Sequence, residues 1–209
     1  PVAALLGNLE MLREELGDNL SADGAEILTD CSELTHKMLS LVNGILDVEE
    51  LEEGLLRAVP VRVKMSELTR RIAKSNVAAM RQRDIRFEIQ IADDLEAEVD
   101  VELFHRLVEN LLDNAVRYAP RRGRVIIDAA IRGGVLCFRV GNDGAPPPVE
   151  DRPLMFGRYY RLEERRAGAH ANRGLGLYFC KLAAEAHHGT ITVEDGPPGT
   201  LFVVRIPQV

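Results

Sequence analysis

The chain has 209 residues, of which 46% are hydrophobic and 28% charged, a globular composition with enough length for one large domain or two modest ones. A net charge of −7 argues against a nucleic-acid groove, which needs a basic face, so a bound anion would have to be held by local positive charge. No apolar run approaches the ~20 residues that span a bilayer, and no signal-like N-terminus is present, so no membrane segment is expected. Cys31, Cys137 and Cys180 are odd in number, far apart and set among apolar residues. They read as buried thiols of a reducing compartment, and the chain as cytoplasmic.

In the first 58 residues Val2, Leu5, Leu9, Leu12 and Leu16 step by three and four. After the turn-rich Gly17–Gly24, the series Ile27, Cys31, Leu34, Met38, Leu41, Ile45 and Val48 continues that rhythm without a miss. This is a heptad seam on two antiparallel helices. Leu6, Leu28, Leu39, Val42 and Leu46 widen each stripe beyond the reach of one partner. A lone hairpin would leave that surface in water, which predicts a homodimer burying it in a four-helix bundle. Packing against the chain's own second half is the competing arrangement.

Residues 60–209 read as a second domain. Pro60 closes the helical region, and Val61-Arg62-Val63 begins a strand. Ser66 is expected to cap a helix carrying Leu68, Ile72 and Val77. Ile85, Phe87, Ile89 and Ile91 alternate as a half-buried strand. A helix is then predicted over 101–118, with Phe104, Leu107, Val108, Leu111, Leu112 and Ala115 on its apolar face. Asn110, Asn114 and Arg117 share its polar face at i, i+4 and i+7. Two amides and a cation in one row suit a metal–phosphate ligand, although a solvated face that happens to hold two asparagines is the better account of this helix taken alone.

Strands over 124–131 and 136–140 follow, joined by the Gly133-Gly134 turn. The stretch 141–173 lacks periodicity and holds four of the ten prolines, the character of a functional lid. Gly174-Leu175-Gly176-Leu177 opens another helix. Glycines there let the backbone approach a phosphate at a helix N-terminus, though a lone Gly-x-Gly turn is weak evidence. Strands over 190–193 and 201–206 complete an α+β chain: a helical hairpin, then a two-layer sandwich with a largely antiparallel sheet.

The order of these motifs is more specific than any one of them. Asn110 to Tyr118 resembles the N-box of sensor histidine kinases, within the gyrase/Hsp90/kinase/mismatch-repair (GHKL) ATPase superfamily. Asn142-Asp143-Gly144-Ala145-Pro146 sits where that family has its first glycine box. Met155 to Arg161 is similar to its F-box, Arg173 to Leu177 to its second glycine box, and Gly199-Thr200-Leu201-Phe202 to its final segment. The hairpin, Leu46 to Gly54 especially, resembles the dimerisation and phosphoacceptor region, so the likeness covers essentially the whole chain.

The resemblance implies Mg²⁺ and ATP as cofactors, with Asn114 as metal ligand through its amide oxygen. It implies that Asn110 and Arg161 serve catalysis, Asn110 by positioning the metal cluster or the attacking group and Arg161 at the γ-phosphate. Arg117, Tyr118, Asn142, Gly144, Arg173, Gly174, Leu175, Gly176, Leu177 and Thr200 complete the expected nucleotide site. Tyr160 lies at its edge and, with Phe156, anchors the lid. The implied activity is ATP-dependent phosphorylation of a histidine, followed by relay to an aspartate on a response-regulator receiver domain.

Three positions depart from the family pattern. Asn142 stands where an aspartate reads the adenine amino group, Pro146 replaces a glycine, and Asn172 replaces another. The family's phosphoacceptor histidine precedes a proline that corresponds to Pro1, so it is expected outside this sequence. None of His36, His105, His170, His187 and His188 is assigned that role. A degenerate ATP-binding dimeric scaffold without phosphotransfer is the alternative these features motivate. The N-terminal hairpin disfavours a chaperone or topoisomerase fragment.

Overall fold

A computed structural model describes residues 1–17, 20–158, 160 and 174–208. The chain divides into two compact units, Pro1–Glu49 and Glu50–Val209. Helices α1 (Val2–Leu16) and α2 (Ala22–Glu52) supply the first. Their apolar stripes are largely uncovered in the single chain: Leu5, Met11, Leu12, Ile27, Leu34 and Met38 are all exposed, and α1 buries no residue. The expectation of three buried thiols fails here. Cys31 is exposed because it shares the uncovered stripe of Ile27 and Leu34, whereas Cys137 is half-buried and only Cys180 is fully enclosed.

The second unit has two layers. Strands β1 (Val61–Lys64) and β3 (Glu96–Val99) form a small antiparallel pair, with Val61 opposite Val99. The short, charge-rich β3 was not expected from the sequence, since Glu96-Ala97-Glu98-Val99 presents only two apolar positions; both are buried. Helix α3 (Met65–Ala73) begins before Ser66, so Ser66 is not its cap: the N-cap is Lys64, with no side-chain cap bond, and Ser66 is buried in the first turn. Helix α4 (Val77–Gln82) leads to β2 (Arg86–Ile91). Among the described residues no helix is long and apolar enough to cross a membrane.

The main sheet has the order β2-β4-β5-β7-β6, with β4 (Arg124–Arg132), β5 (Val135–Asn142), β6 (Thr190–Gly196) and β7 (Gly199–Pro207). All neighbours are antiparallel except β2 and β4, which run parallel. Gly133 and Gly134 both have positive φ, 57° and 74°, as a two-residue hairpin matched to the sheet twist requires. β5 continues to Asn142, one residue beyond the expected start of irregular chain, because its ladder to β7 persists as far as Asn142 opposite Thr200.

Helices α5 (Val101–Tyr118) and α6 (Gly176–Ala186) cover one face of this sheet. The apolar stripe of α5 is the centre of the core: Phe104, Leu107, Val108, Leu111, Leu112 and Ala115 are all inaccessible. Phe104 meets Phe138 of β5 edge to face, ring centroids 5.0 Å apart. Asp100 caps α5, one carboxylate oxygen accepting from the amides of Glu102 and Leu103 at 3.0 Å and the other from Val59 at 2.9 Å. His187, just past α6, accepts the Asp100 amide on Nε2 at 2.8 Å and donates from Nδ1 to the Ala183 carbonyl. The start of α5 is thereby tied to the end of α6.

Phe104→Ala should cost about 3–5 kcal/mol, the range for removing a fully buried ring. Asp100→Ala should cost about 1–2 kcal/mol through the lost cap. Urea unfolding of the two variants checks both the sizes and their order.

Candidate nucleotide site

The polar row of α5 lies beside the first turn of α6. Asn110 donates its side-chain amide to the Arg106 carbonyl at 2.9 Å, and Asn114 donates to the Asn110 carbonyl at 3.0 Å. Each asparagine thus uses its nitrogen on its own helix and keeps its side-chain oxygen as an acceptor. The Asn110 oxygen faces α6 so closely that a Cβ built on Gly176 would lie 2.7 Å from it. Gly176 therefore brings the second glycine motif onto the asparagine helix. Helix α6 starts there, two residues after Gly174, whose φ of +66° suits glycine. Leu175 is buried and Leu177 half-buried beside it.

A second cluster forms where α5 ends. A Cβ on Gly144 would strike the Tyr118 carbonyl oxygen and lie 2.6 Å from the Asn142 side-chain nitrogen. Asn142 is only 2% exposed, at the end of β5. Thr200, its ladder partner, donates its hydroxyl to the Gly144 carbonyl at 3.3 Å. Gly199 has no room for a side chain either, since a Cβ there would lie 2.8 Å from the Asn142 carbonyl. Four sequence-separated residues (Tyr118, Asn142, Gly144 and Thr200) thus meet in one place. Arg117 and Tyr118 are exposed at the close of α5.

Tyr160 donates its hydroxyl to the buried Asp151 at 3.0 Å, and Phe156 is buried in the single turn Leu154–Phe156. These contacts anchor Asp151, Phe156 and Tyr160 within the stretch expected to form the lid. Arg161 and Arg173 lie outside the described residues. Burial raises the carboxyl of Asp113, next to Asn114, with Arg117 pulling it down and Glu109 adding to the rise. Burial also pushes the Cys180 thiol far above its ordinary range, which makes it an inert core group beside the Leu107 carbonyl.

Three contributors were given no role from the sequence, although Asp143 was quoted within the first glycine box. Asp151 holds Tyr160. Asp143 accepts the amide of Arg124 and so fixes the strand end that carries Asn142 and Gly144. The Arg106 guanidinium lies 4.5 Å from the Phe179 ring centroid, packing α5 on α6. None belongs to a spacing pattern; only Arg106, one turn before Asn110, continues the polar row.

The candidate site thus joins a five-stranded sheet to an asparagine-bearing helix and a glycine-led helix. Residues 99–209, just over half the chain, match the histidine kinase-, DNA gyrase B-, and HSP90-like ATPase family, and the chain belongs to that family. It is 29% identical to the sensor histidine kinase TmoS of Ectopseudomonas mendocina, over 99% of this chain and 21% of that protein. Full-length ShkA, solved in complex with AMPPNP, shares the fold with a TM-score of 0.81 at 24% identity, over 99% of this chain and 43% of that one. Histidine kinase ThkA, solved in complex with response regulator protein TrrA, does so at 0.66 and 20% identity, over all of this chain and 59% of that one. The chain spans about a fifth to two fifths of the curated relatives it matches.

Gly144→Ala drives a methyl group into fixed backbone, so a loss of about 1–3 kcal/mol is expected in thermal or urea unfolding. Gly176→Ala meets only the tip of the Asn110 side chain and should leave stability within about 0.5–1.5 kcal/mol, the cost of an off-rotamer shift. Equal losses would contradict the two geometries.

Proposed function

We propose that the chain is the catalytic core of a two-component sensor histidine kinase. It binds Mg-ATP in the 99–209 region and donates the γ-phosphoryl to a histidine for relay to a receiver-domain aspartate. The observation that carries this reading is the meeting of the Asn110 side-chain oxygen with the glycine-led start of α6, which puts that oxygen beside a helix N-terminus and supports a polyphosphate held next to the contact. Residues 1–58 act as the dimerisation hairpin, whose exposed seam suits a second copy, and residues 60–209 as the ATP-binding domain. The setting is cytoplasmic.

The donor set fits the proposed cofactors. Asn114 keeps a hard amide oxygen that would hold Mg²⁺, and the cation would supply positive charge for phosphoryl transfer. The N–H groups at the start of α6 and the Arg117 guanidinium counter phosphate charge. Asn110 orients the reacting end. Asn142 accepts from the adenine amino group, with Gly144 and Thr200 forming the wall beneath the base and Tyr118 packing beside it. Arg161 and Arg173 are proposed to close on the phosphates from the lid. Most of the rate enhancement then comes from positioning and preorganised charge.

Asn114→Ala should abolish the Mg²⁺-dependent part of ATP affinity in calorimetry while leaving the fold intact. Extended ahead of Pro1 by a segment that carries a phosphoacceptor histidine, the protein should form acid-labile phosphohistidine from labelled ATP, and Asn114→Ala should eliminate it. An extended protein that binds ATP and never labels is a scaffold. Labelling of the present chain on His36 would place the acceptor inside the hairpin instead.

A further inference from the structure

Helix α5 meets the proposed nucleotide with its carbonyl end. That is the wrong end for an anion, because the last turn of a helix carries about half a negative charge in unpaired carbonyl groups. Asn114, Arg117 and Tyr118, all assigned to the nucleotide, lie in the last two turns of α5. Something must offset that charge if a triphosphate is to approach.

Arg83 is built to do so. It follows α4, outside the 99–209 match to the ATPase family. Its guanidinium donates through Nη1 to the carbonyl of Val116 and, at 2.9 Å, to that of Arg117, and through Nη2 to that of Ala119 at 2.8 Å. The carbonyl of Ala115 is taken by the Ala119 amide, and the fork of Arg83 covers three of the four carbonyls that follow it, those of Val116, Arg117 and Ala119. The backbone of Arg83 is itself held, its carbonyl accepting the Arg122 amide at 3.0 Å. Beyond Arg122, the chain passes through Gly123 to Arg124, whose amide is bound by Asp143, next to Gly144. One half-buried guanidinium therefore fixes the turn that presents Arg117 and Tyr118, and puts a full positive charge on the negative helix end.

We propose that Arg83 is a positioning residue for the nucleotide site. It caps the carbonyl end of α5 and offsets the negative charge that this end would otherwise present to a polyphosphate. The inference rests on the assignment of Asn114 and its neighbours to ATP, and the test separates the two. ATP and adenosine are titrated, with Mg²⁺ and at low ionic strength, into the native chain, Arg83→Met, Arg83→Lys and Asn114→Ala. Amide resonances report both the fold and weak binding.

Arg83→Met should weaken ATP by a factor of roughly three to ten and leave adenosine unchanged within about twofold, matching the usual size of a helix-terminus charge effect. Arg83→Lys keeps the charge without the planar fork, and should recover part of the ATP affinity. Equal losses for ATP and adenosine would make Arg83 a support of shape alone and overturn the proposal. Undiminished ATP binding in Arg83→Met, with a loss in Asn114→Ala, would overturn it and leave the nucleotide site standing. Undiminished binding in Asn114→Ala would remove that site, and this inference with it.

Discussion

Helix α5 has two obligations on opposite faces, and the rest of the second unit depends on both being met. One face buries Phe104, Leu107, Leu111 and Leu112 completely, so the rotation of the helix about its own axis is fixed by close packing. A helix fixed in rotation has no freedom left in where its other face points. That face carries Asn110 and Asn114, and the contact of Asn110 with Gly176 leaves no room for a side chain between the two helices. Core packing thus decides where the two amide oxygens lie.

The sheet serves the same end from the other side. Its helix-covered face is apolar, while polar groups on the opposite face pair with one another. Arg139 donates to Asp128 at 2.6 Å, and Arg205 reaches Thr192 and Glu194. The hydrogen bond from Arg205 holds the Glu194 carboxyl below its usual range. These pairs satisfy one another across neighbouring strands. Glycines are spent instead at the ends of β5 and β7, where Gly144 and Gly199 let the backbone of one strand end lie against the next and against Tyr118. The proposed base pocket is therefore built largely from main chain, held in register by the ladder that pairs Asn142 with Thr200.

The sequence made the helix of 101–118 legible, because its apolar period is regular and Pro120 follows it; the Asp100 cap that starts it was not read there. The Gly133-Gly134 hairpin was equally plain, since few residue pairs adopt two positive φ angles in succession. Short elements with mixed signals were not. β3 has four residues, two of them glutamates, and only its pairing with β1 makes it a strand. Ser66 looked like a cap because serine usually is one, but α3 starts earlier and tertiary contacts bury it. In the candidate site, the residues carrying spacing patterns were visible: Asn110, Asn114, and the glycines of 144 and 176. Arg83 and Asp151 were not, for they act through single contacts between segments apart in sequence, and no periodicity records such a contact.

The proposed site holds nucleotide at the close of α5, the start of α6 and the ends of β5 and β7. Backbone amide hydrogen exchange, measured with and without Mg²⁺ and a non-hydrolysable ATP analogue, tests this most directly. Slowed exchange is expected at the close of α5, at Asn142 to Gly144, at the first turn of α6 and at Thr200, with the outer-face positions Arg139 and Arg205 unchanged. Protection confined to residues 1–49 or to the β1–β3 pair, or no protection at saturating nucleotide, would contradict it.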